Sequence, residues 1–291
     1  MQRISIFISL ILITLKSIFK VIIYSRFKTT ISLLEGGKNK SLVILGNGPS
    51  LNQTISKYSH ILKNCDLLCV NAFSLSPAFE TLRPNYYVIA DPQFWRKNPI
   101  EGIDDFCINV IQAIVDKVQW QLFLFTPFES ANFPLIMKLK SNPNIKLIYY
   151  NKTSVSGFSG FRNYFFKKNI GIPRAQNVII PSLMLGINMA YAKIFITGAD
   201  HSWHESLIID DDNQLCIRDE HFYDKEKTNP RPIKDIFSGR SIHLHEQLKA
   251  IAIVFELYFV VQEYAQTRNV SIFNASEKSF IDAFKRTKLE N

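Results

Sequence analysis

The chain has 291 residues, 47% of them hydrophobic and 23 of them Phe, enough apolar material for a sizeable core; this excludes a disordered or low-complexity protein. Of the net charge of +9, +6 belongs to the first 40 positions, where Arg3, Lys16, Lys20, Arg26, Lys28, Lys38 and Lys40 face only Glu35. The remaining 251 residues carry only +3, so no nucleic acid is expected as a partner of the folded part.

The chain opens with an almost wholly apolar run from Ile4 to Tyr24. A spanning helix needs about 20 such residues, and Lys16 and Lys20 interrupt this one. At 100° per residue Ser5, Ser9, Lys16 and Lys20 fall in an arc about 60° wide, a narrow polar stripe on a greasy helix. The pattern predicts an in-plane anchor through residues 4–28, its lysines reaching anionic headgroups at the cytoplasmic face of a membrane. A short tilted span and a helix buried in the domain are the alternatives. A cleaved signal peptide fits less well, because Arg3 is the only charge of its n-region and no small-x-small cleavage site follows.

After a basic link at 36–40, one domain is expected over 41–285. It begins with residues 41–51, Ser-Leu-Val-Ile-Leu-Gly-Asn-Gly-Pro-Ser-Leu. Four consecutive apolar residues predict a strand covered on both faces, as in a parallel sheet. Gly46 and Gly48 allow a tight turn and close approach to a ligand. Pro49 and Ser50 suit the first turn of a helix, whose N–H groups attract phosphate. No Gly-Lys-Ser/Thr follows, so this is not a P-loop, and Leu51 stands where a dinucleotide fingerprint has its third glycine.

Further strands are expected at 66–71, 86–90, 120–126, 145–150, 193–198 and 269–274, and helices at 50–63, 106–117, 130–140, 181–192 and 244–267. This alternation predicts an α/β fold: a Rossmann-like, mostly parallel sheet with helices on both faces. The exception is 201–242, a polar stretch rich in His, Asp, Lys and Pro, which reads as an active-site lid. Cys65, Cys69, Cys107 and Cys216 form no zinc pattern and are expected to be reduced thiols.

Ligands of open α/β sheets bind beyond the carboxyl ends of the strands. The polar residues expected there are Asn47, Asn71, Asp91, and Gly198 and Asp200 within Thr197-Gly-Ala-Asp-His201. Each alone suits a turn or a helix cap. Together they suit ribose hydroxyls, a pyrimidine edge and a phosphate.

The run Gly46-Asn-Gly-Pro-Ser-Leu51, followed by Val70-Asn-Ala-Phe73, resembles the bacterial sialyltransferases of glycosyltransferase family 42. Broader relatives are the motility accessory factors and the pterin pyrophosphokinase-like proteins. The resemblance continues through Ile180-Pro-Ser-Leu-Met-Leu-Gly186, Tyr191-Ala-Lys-Ile-Phe-Ile-Thr-Gly-Ala-Asp200 and Ser241-Ile-His-Leu-His-Glu-Gln-Leu-Lys-Ala250. It implies a CMP-activated sialic-acid-like donor, a glycan or glycolipid acceptor, and inverting transfer without a metal or other cofactor. On it, Asn47 and Asn71 take the place of nucleotide-contacting asparagines, and Ser182 that of a small hydroxyl near the donor. Asp91 departs from the family, which commonly has Asn there. The family's leaving-phosphate tyrosines are also missing after Asp200, which leaves His221 and Tyr223 of the lid as substitutes.

Inverting transfer needs a base for the acceptor hydroxyl and donors for the departing phosphate. Histidine, with an ordinary pKa of about 6.5, suits the first task. His243 is the expected base, with His245 second. The turn amides near Gly48 and Ser50, with Tyr223, Arg231 and Arg240, are the expected phosphate donors. A metal alternative rests on Asp210-Asp-Asp212, with Asp200, His201 and His204 nearby in sequence, but the spacing is not that of a strong metal site. Two other functions compete: Mg²⁺-dependent pyrophosphoryl transfer from ATP to a pterin alcohol, and a non-catalytic membrane scaffold.

Overall fold

The computed structural model describes residues 2–29, 31, 34, 40–95, 104–218, 229–235 and 238–289. In chain order, α1 (Gln2–Tyr24) precedes β1 (Leu42–Leu45), α2 (Leu51–Leu62), β2 (Asp66–Val70), α3 (Ala78–Leu82), β3 (Tyr86–Val88), α4 (Asp105–Lys117), β4 (Leu122–Pro127), α5 (Pro134–Met137) and β5 (Ile145–Tyr150). There follow α6 (Ser159–Lys167), α7 (Ile179–Asn188), β6 (Lys193–Thr197), β7 (Leu207–Ile209), β8 (Leu215–Ile217), β9 (Arg231–Pro232), α8 (Leu244–Thr267), β10 (Ser271–Asn274) and β11 (Lys285–Arg286).

All four residues of β1 are buried, so the strand needs neighbours on both edges and cover on both faces. It pairs in parallel with β2 on one edge and β6 on the other, Leu42 standing opposite Asp66 and Ile194. The whole sheet runs β11-β10-β6-β1-β2-β3-β4-β5, every pair parallel. Alternate side chains serve the two faces. Val43 and Leu45 pack with Tyr58 and Ile61 of α2 and Ile111 and Ile114 of α4. Leu42 and Ile44 pack with Leu183 and Ile187 of α7 and Tyr258 and Val261 of α8. This is the α/β architecture expected from the sequence, with each predicted strand in place to within about two residues at its ends.

The amino ends of the strands are held by a buried polar group. Tyr191 Oη donates to Asp66 Oδ2 at 2.6 Å and lies 3.1 Å from Tyr86 Oη. Lys40 reaches the other oxygen of Asp66 at 3.4 Å.

One expectation needs correction. The single helix predicted over 130–140 is broken into α5 and flanking 3-10 turns at Phe128–Ser130 and Lys138–Ser141. Pro134 is placed to start a helix, not to continue one. Within the polar stretch 201–242, the described residues form a three-stranded antiparallel sheet, β7-β8-β9. At its hairpin tip Asp210 Oδ1 accepts the amides of Asp212 at 3.1 Å and Gln214 at 2.7 Å, and Asn213 takes a positive φ of 56°. Asp210 is thus a turn organiser of a short hairpin loop.

The N-terminal helix lies against the domain along a single narrow face. Ser156 N–H donates to Ser17 Oγ at 3.0 Å, and Phe158 N–H donates to Thr14 Oγ1 at 3.2 Å. Just past the helix, Ser25 Oγ donates to Ile170 O at 2.6 Å, and Arg26 N–H donates to Asn151 Oδ1 at 2.7 Å. Val21 is buried among Ile31, Val155 and Ile170 of the core. The docked residues Thr14, Ser17 and Val21 lie roughly 120° round the helix from the stripe of Ser5, Ser9, Lys16 and Lys20. Only 11% of the most apolar stretch is buried, which rules out the helix buried in the domain. Ile4, Ile8, Leu12, Leu15, Phe19 and Ile22 are exposed.

Candidate functional site at the carboxyl ends of the strands

Because the strands are parallel, their carboxyl ends share one edge, and the crevice of such sheets lies where the strand order reverses. The chain moves outward from β1 through β2, β3 and β4 to β5, then returns to β6 on the other side of β1. The reversal therefore lies between β1 and β6.

There the two turns are bonded to each other. Gly46 N–H donates to Thr197 O, and Gly48 N–H to Gly198 O, both at 2.8 Å. Ser50 N–H donates to Asp200 Oδ2 at 3.0 Å, and the Ser50 hydroxyl donates to Asp200 Oδ1. A Cβ on Gly46 would meet Gly198 O at 2.5 Å, and one on Gly48 would meet Asp200 Oδ1 at 2.7 Å. Gly198 has φ +60° and lies against Leu51. These glycines thus let one turn approach the other. This corrects the expectation of a free Ser50 amide for phosphate, since a carboxylate of the chain already occupies it. Pro49 is exposed at the tip of the turn. Burial raises the Asp200 carboxyl above its ordinary value, although the Ser50 bonds and the charges of Lys278 and Arg286 act the other way.

Beyond the reversal, polar side chains stand at the ends of β1, β2 and β3 in a row. Asn47 Nδ2 donates to Val70 O at 3.1 Å, whereas Asn47 Oδ1 is buried without a hydrogen-bond partner among the described residues. Asn71 has a positive φ of 41°, a conformation that Asn tolerates better than most side chains. Its Oδ1 accepts Ala90 N–H at 3.3 Å, and its carbonyl accepts the Tyr87 hydroxyl at 2.6 Å. Asp91 caps the 3-10 turn Pro92–Phe94, accepting Gln93 N–H at 3.1 Å and Gln93 Nε2 at 3.2 Å. Burial raises the Asp91 carboxyl, opposed by the Gln93 bonds and by Lys152. Each side chain of the row except Asp91 reaches the backbone of the next strand, so the three ends form one continuous polar shelf.

Past Asp91 the shelf opens into a cleft of about 490 Å³, bounded by Pro92, by Phe128 and Glu129 after β4, by Lys152 after β5, and by Lys20 and Arg26 of the N-terminal segment. Lys152 Nζ donates to Ala90 O at 3.2 Å and stands 5.4 Å from the Trp95 ring centre. Trp95 Nε1 donates to Glu129 Oε1 at 3.2 Å. Lys152 was not singled out in the sequence, although it stands two residues beyond β5 as Asn47 does beyond β1.

Ser182, His243 and His245 make no described contact with Asn47, Asn71 or Asp91. Ser182 is fully buried within α7, and its hydroxyl donates to Val178 O at 2.7 Å. Its one proton is thus committed to its own helix. His243 and His245 are exposed at the start of α8, their rings stacked with centroids 6.0 Å apart. Glu246 Oε2 accepts His243 N–H at 2.9 Å, and Arg240 clasps both Glu246 oxygens at 2.9 and 3.0 Å. The described contacts of these histidines do not include Asn47, Asn71 or Asp91. Tyr223 and His221 lie outside the described residues. Among the described residues no three His, Cys, Asp or Glu side chains converge as metal ligands.

His201, named in the sequence only for the metal alternative, belongs to a buried polar group with Tyr258 and Asn177. His201 has a positive φ of 52°, and its Nε2 is 2.5 Å from Tyr258 Oη, while Asn177 Nδ2 reaches the same two atoms at 3.3 and 3.0 Å. Burial lowers the His201 pKa to about 3, so this ring is neutral at physiological pH. Its sequence signal was the polar run after β6. Its partners are Asn177, 24 residues before it, and Tyr258 of α8, 57 residues further on.

No family model matches the chain, and no curated protein matches it. Among solved structures it is similar to the MAf glycosyltransferase from Magnetospirillum magneticum AMB-1, at 9% identity and a TM-score of 0.48. That match covers 89% of this chain but only 37% of the other protein, so the chain spans little more than a third of its length. At this TM-score the likeness carries no argument about chemistry.

Proposed function

We propose that this chain is a membrane-associated glycosyltransferase that takes a sialic-acid-like sugar from a CMP-activated donor and passes it, with inversion, to a glycan hydroxyl. The observation that carries the reading is the polar shelf. Asn47, Asn71 and Asp91 end three adjacent parallel strands beside the reversal of strand order, and the buried Asn47 Oδ1 has no described partner. An amide oxygen in that state suits the exocyclic amine of a cytosine, and Asp91 suits ribose hydroxyls.

The base is assigned to His243, with His245 as its neighbour. His201 is unsuited to the task, because a ring whose pKa is about 3 holds a proton poorly at neutral pH. The first turn of α8 lies on the carboxyl-end side of the sheet, since Phe255 and Tyr258 of the same helix meet His201 just after β6. Tyr223 is assigned to the departing phosphate. Residues 4–28 supply the contact with the membrane, through the exposed apolar faces of α1.

The test is release of CMP from a panel of CMP-activated nonulosonic acids in the presence of lipid-borne and soluble glycans. Turnover of one donor that is unaffected by EDTA supports the reading. Failure to release CMP from any of them, together with failure to bind CMP, rejects it.

A further inference from the structure

We infer that the cleft between the N-terminal segment and the ends of β3, β4 and β5 receives the phosphate of a membrane lipid, next to the polar shelf. The inference rests on the proposed membrane association of α1. Three cations, Lys20, Arg26 and Lys152, face the cleft, with Glu129 as the one carboxylate among the described lining residues. Lys152 is already held by Ala90 O and Glu129, at 3.2 and 3.9 Å. Among the described residues no carboxylate pairs with Lys20 or Arg26. Among the described lining residues the cations thus exceed the carboxylate by two, and an anion complements that excess.

The lipid is named by where the cations come from. Lys20 belongs to α1, and Arg26 follows it by two residues, so both stand at the end of the surface formed by Leu12, Leu15, Phe19 and Ile22. The hydrogen bonds of Thr14, Ser17, Ser25 and the Arg26 backbone fix that surface relative to the cleft. A lipid whose chains lie beside α1 thus has its headgroup at the height of the cleft. The wall between cleft and shelf is a single stretch of backbone. Lys152 bonds Ala90 O, Asn71 bonds Ala90 N–H, and Pro92 lines the cleft. A lipid phosphate held there would place the sugar it carries beside the proposed donor site, which makes a lipid-linked glycan the acceptor class that the geometry favours.

The experiment uses the full chain in phosphatidylcholine nanodiscs with fluorescent phosphatidic acid as the probe, at about 1 M salt, where the Debye length is about 3 Å and exposed charges are screened. Saturable binding is expected. The double variant Lys20→Ala/Arg26→Ala weakens it about tenfold, while Lys16→Ala/Lys28→Ala, an equal loss of charge away from the cleft, leaves it within about twofold. Ser154→Lys adds a cation to the rim and tightens binding about fivefold, an outcome that no loss of folding imitates. Equal weakening by the two double variants would mean diffuse surface charge and overturn the site. So would equally tight binding of inorganic phosphate to the chain in neutral detergent, which would make free phosphate the ligand. Calorimetry with CMP on the same preparations keeps the two readings apart, since the lipid site can fail while CMP still binds, and the reverse.

Discussion

Asp200, from the end of one strand, accepts both the amide and the hydroxyl of Ser50, from the end of its neighbour. The carboxylate thereby sits at the N-terminus of α2, where a phosphate was expected, and ties the two halves of the sheet together at the reversal of strand order. The donor is consequently assigned to the shelf on the other side of β1.

This burial has a pH signature. The Asp200 carboxyl is raised in the folded chain, chiefly by desolvation. Between its unfolded pKa, near 3.9, and the raised folded value, the folded state binds more protons than the unfolded one. Its contribution to stability is therefore complete below the unfolded pKa and is lost as pH rises through the folded one. His201, held down to about 3 by burial, acts in the opposite sense between pH 3 and 6.5, so the Asp200 signature is read as a difference: in urea unfolding, Asp200→Asn, which can still bond Ser50, should gain stability with rising pH more steeply than the parent chain. Asp91, raised in the same sense, adds to the Asp200 effect. Superimposable profiles for the two proteins would refute the assignment.

Substitution of the turn glycines should be costly. Gly198 combines φ +60° with a Cβ position 2.8 Å from Gly46 O and from Leu51 Cβ. Gly198→Ala is expected to destabilise the fold by about 2–4 kcal/mol. Gly160, in α6 with open space around it, is the control; Gly160→Ala is expected to stabilise by about 0.5–1 kcal/mol. Thermal melts of both variants check the contrast.

Most of the sheet was legible because its strands are unbroken apolar runs, such as residues 42–45, and because apolar runs alternate with helical periods. Asn47, Asn71 and Asp91 were legible as the first polar residues beyond those runs. The same rule reaches Asn151 and Lys152, but their place in a cleft depends on the N-terminal segment lying across that edge, which no local pattern states. The glycines could be found but not interpreted, since a sequence does not say whether ligand or chain approaches them. Ser182 shows the same limit, because a hydroxyl bonded to its own helix leaves no trace in residue type. The hydroxyl face of α1 was missed because Thr14 and Ser17 are outweighed by the apolar residues around them.

Asn47→Ala separates binding from folding. It loses one hydrogen bond to Val70 O and also removes a buried oxygen without a described partner, so stability should change by no more than about 1 kcal/mol. Affinity for CMP should fall about tenfold. Tyr191→Phe, at the opposite edge of the sheet, should do the reverse. Leaving Asp66 Oδ2 without its donor costs about 1–3 kcal/mol, with CMP affinity untouched. Parallel melts and titrations of the two variants read this out, and a like effect of both on CMP would place the binding site elsewhere.

His243→Ala should lower turnover by about 10²–10⁴-fold while leaving CMP affinity and melting temperature unchanged, because the side chain is exposed. His245→Ala is measured beside it. Full activity in the first variant and loss in the second would transfer the role of base to His245, and full activity in both would remove it from this helix.

Calorimetric titration of the full chain in neutral detergent with CMP, and with UMP, GMP and ATP as controls, each with and without EDTA, decides whether the shelf binds a cytidine nucleotide. Selective CMP binding that EDTA does not alter, and that Asn47→Ala weakens, is the predicted result. Binding of ATP alone, and only with Mg²⁺, or binding of none of the four, would contradict it.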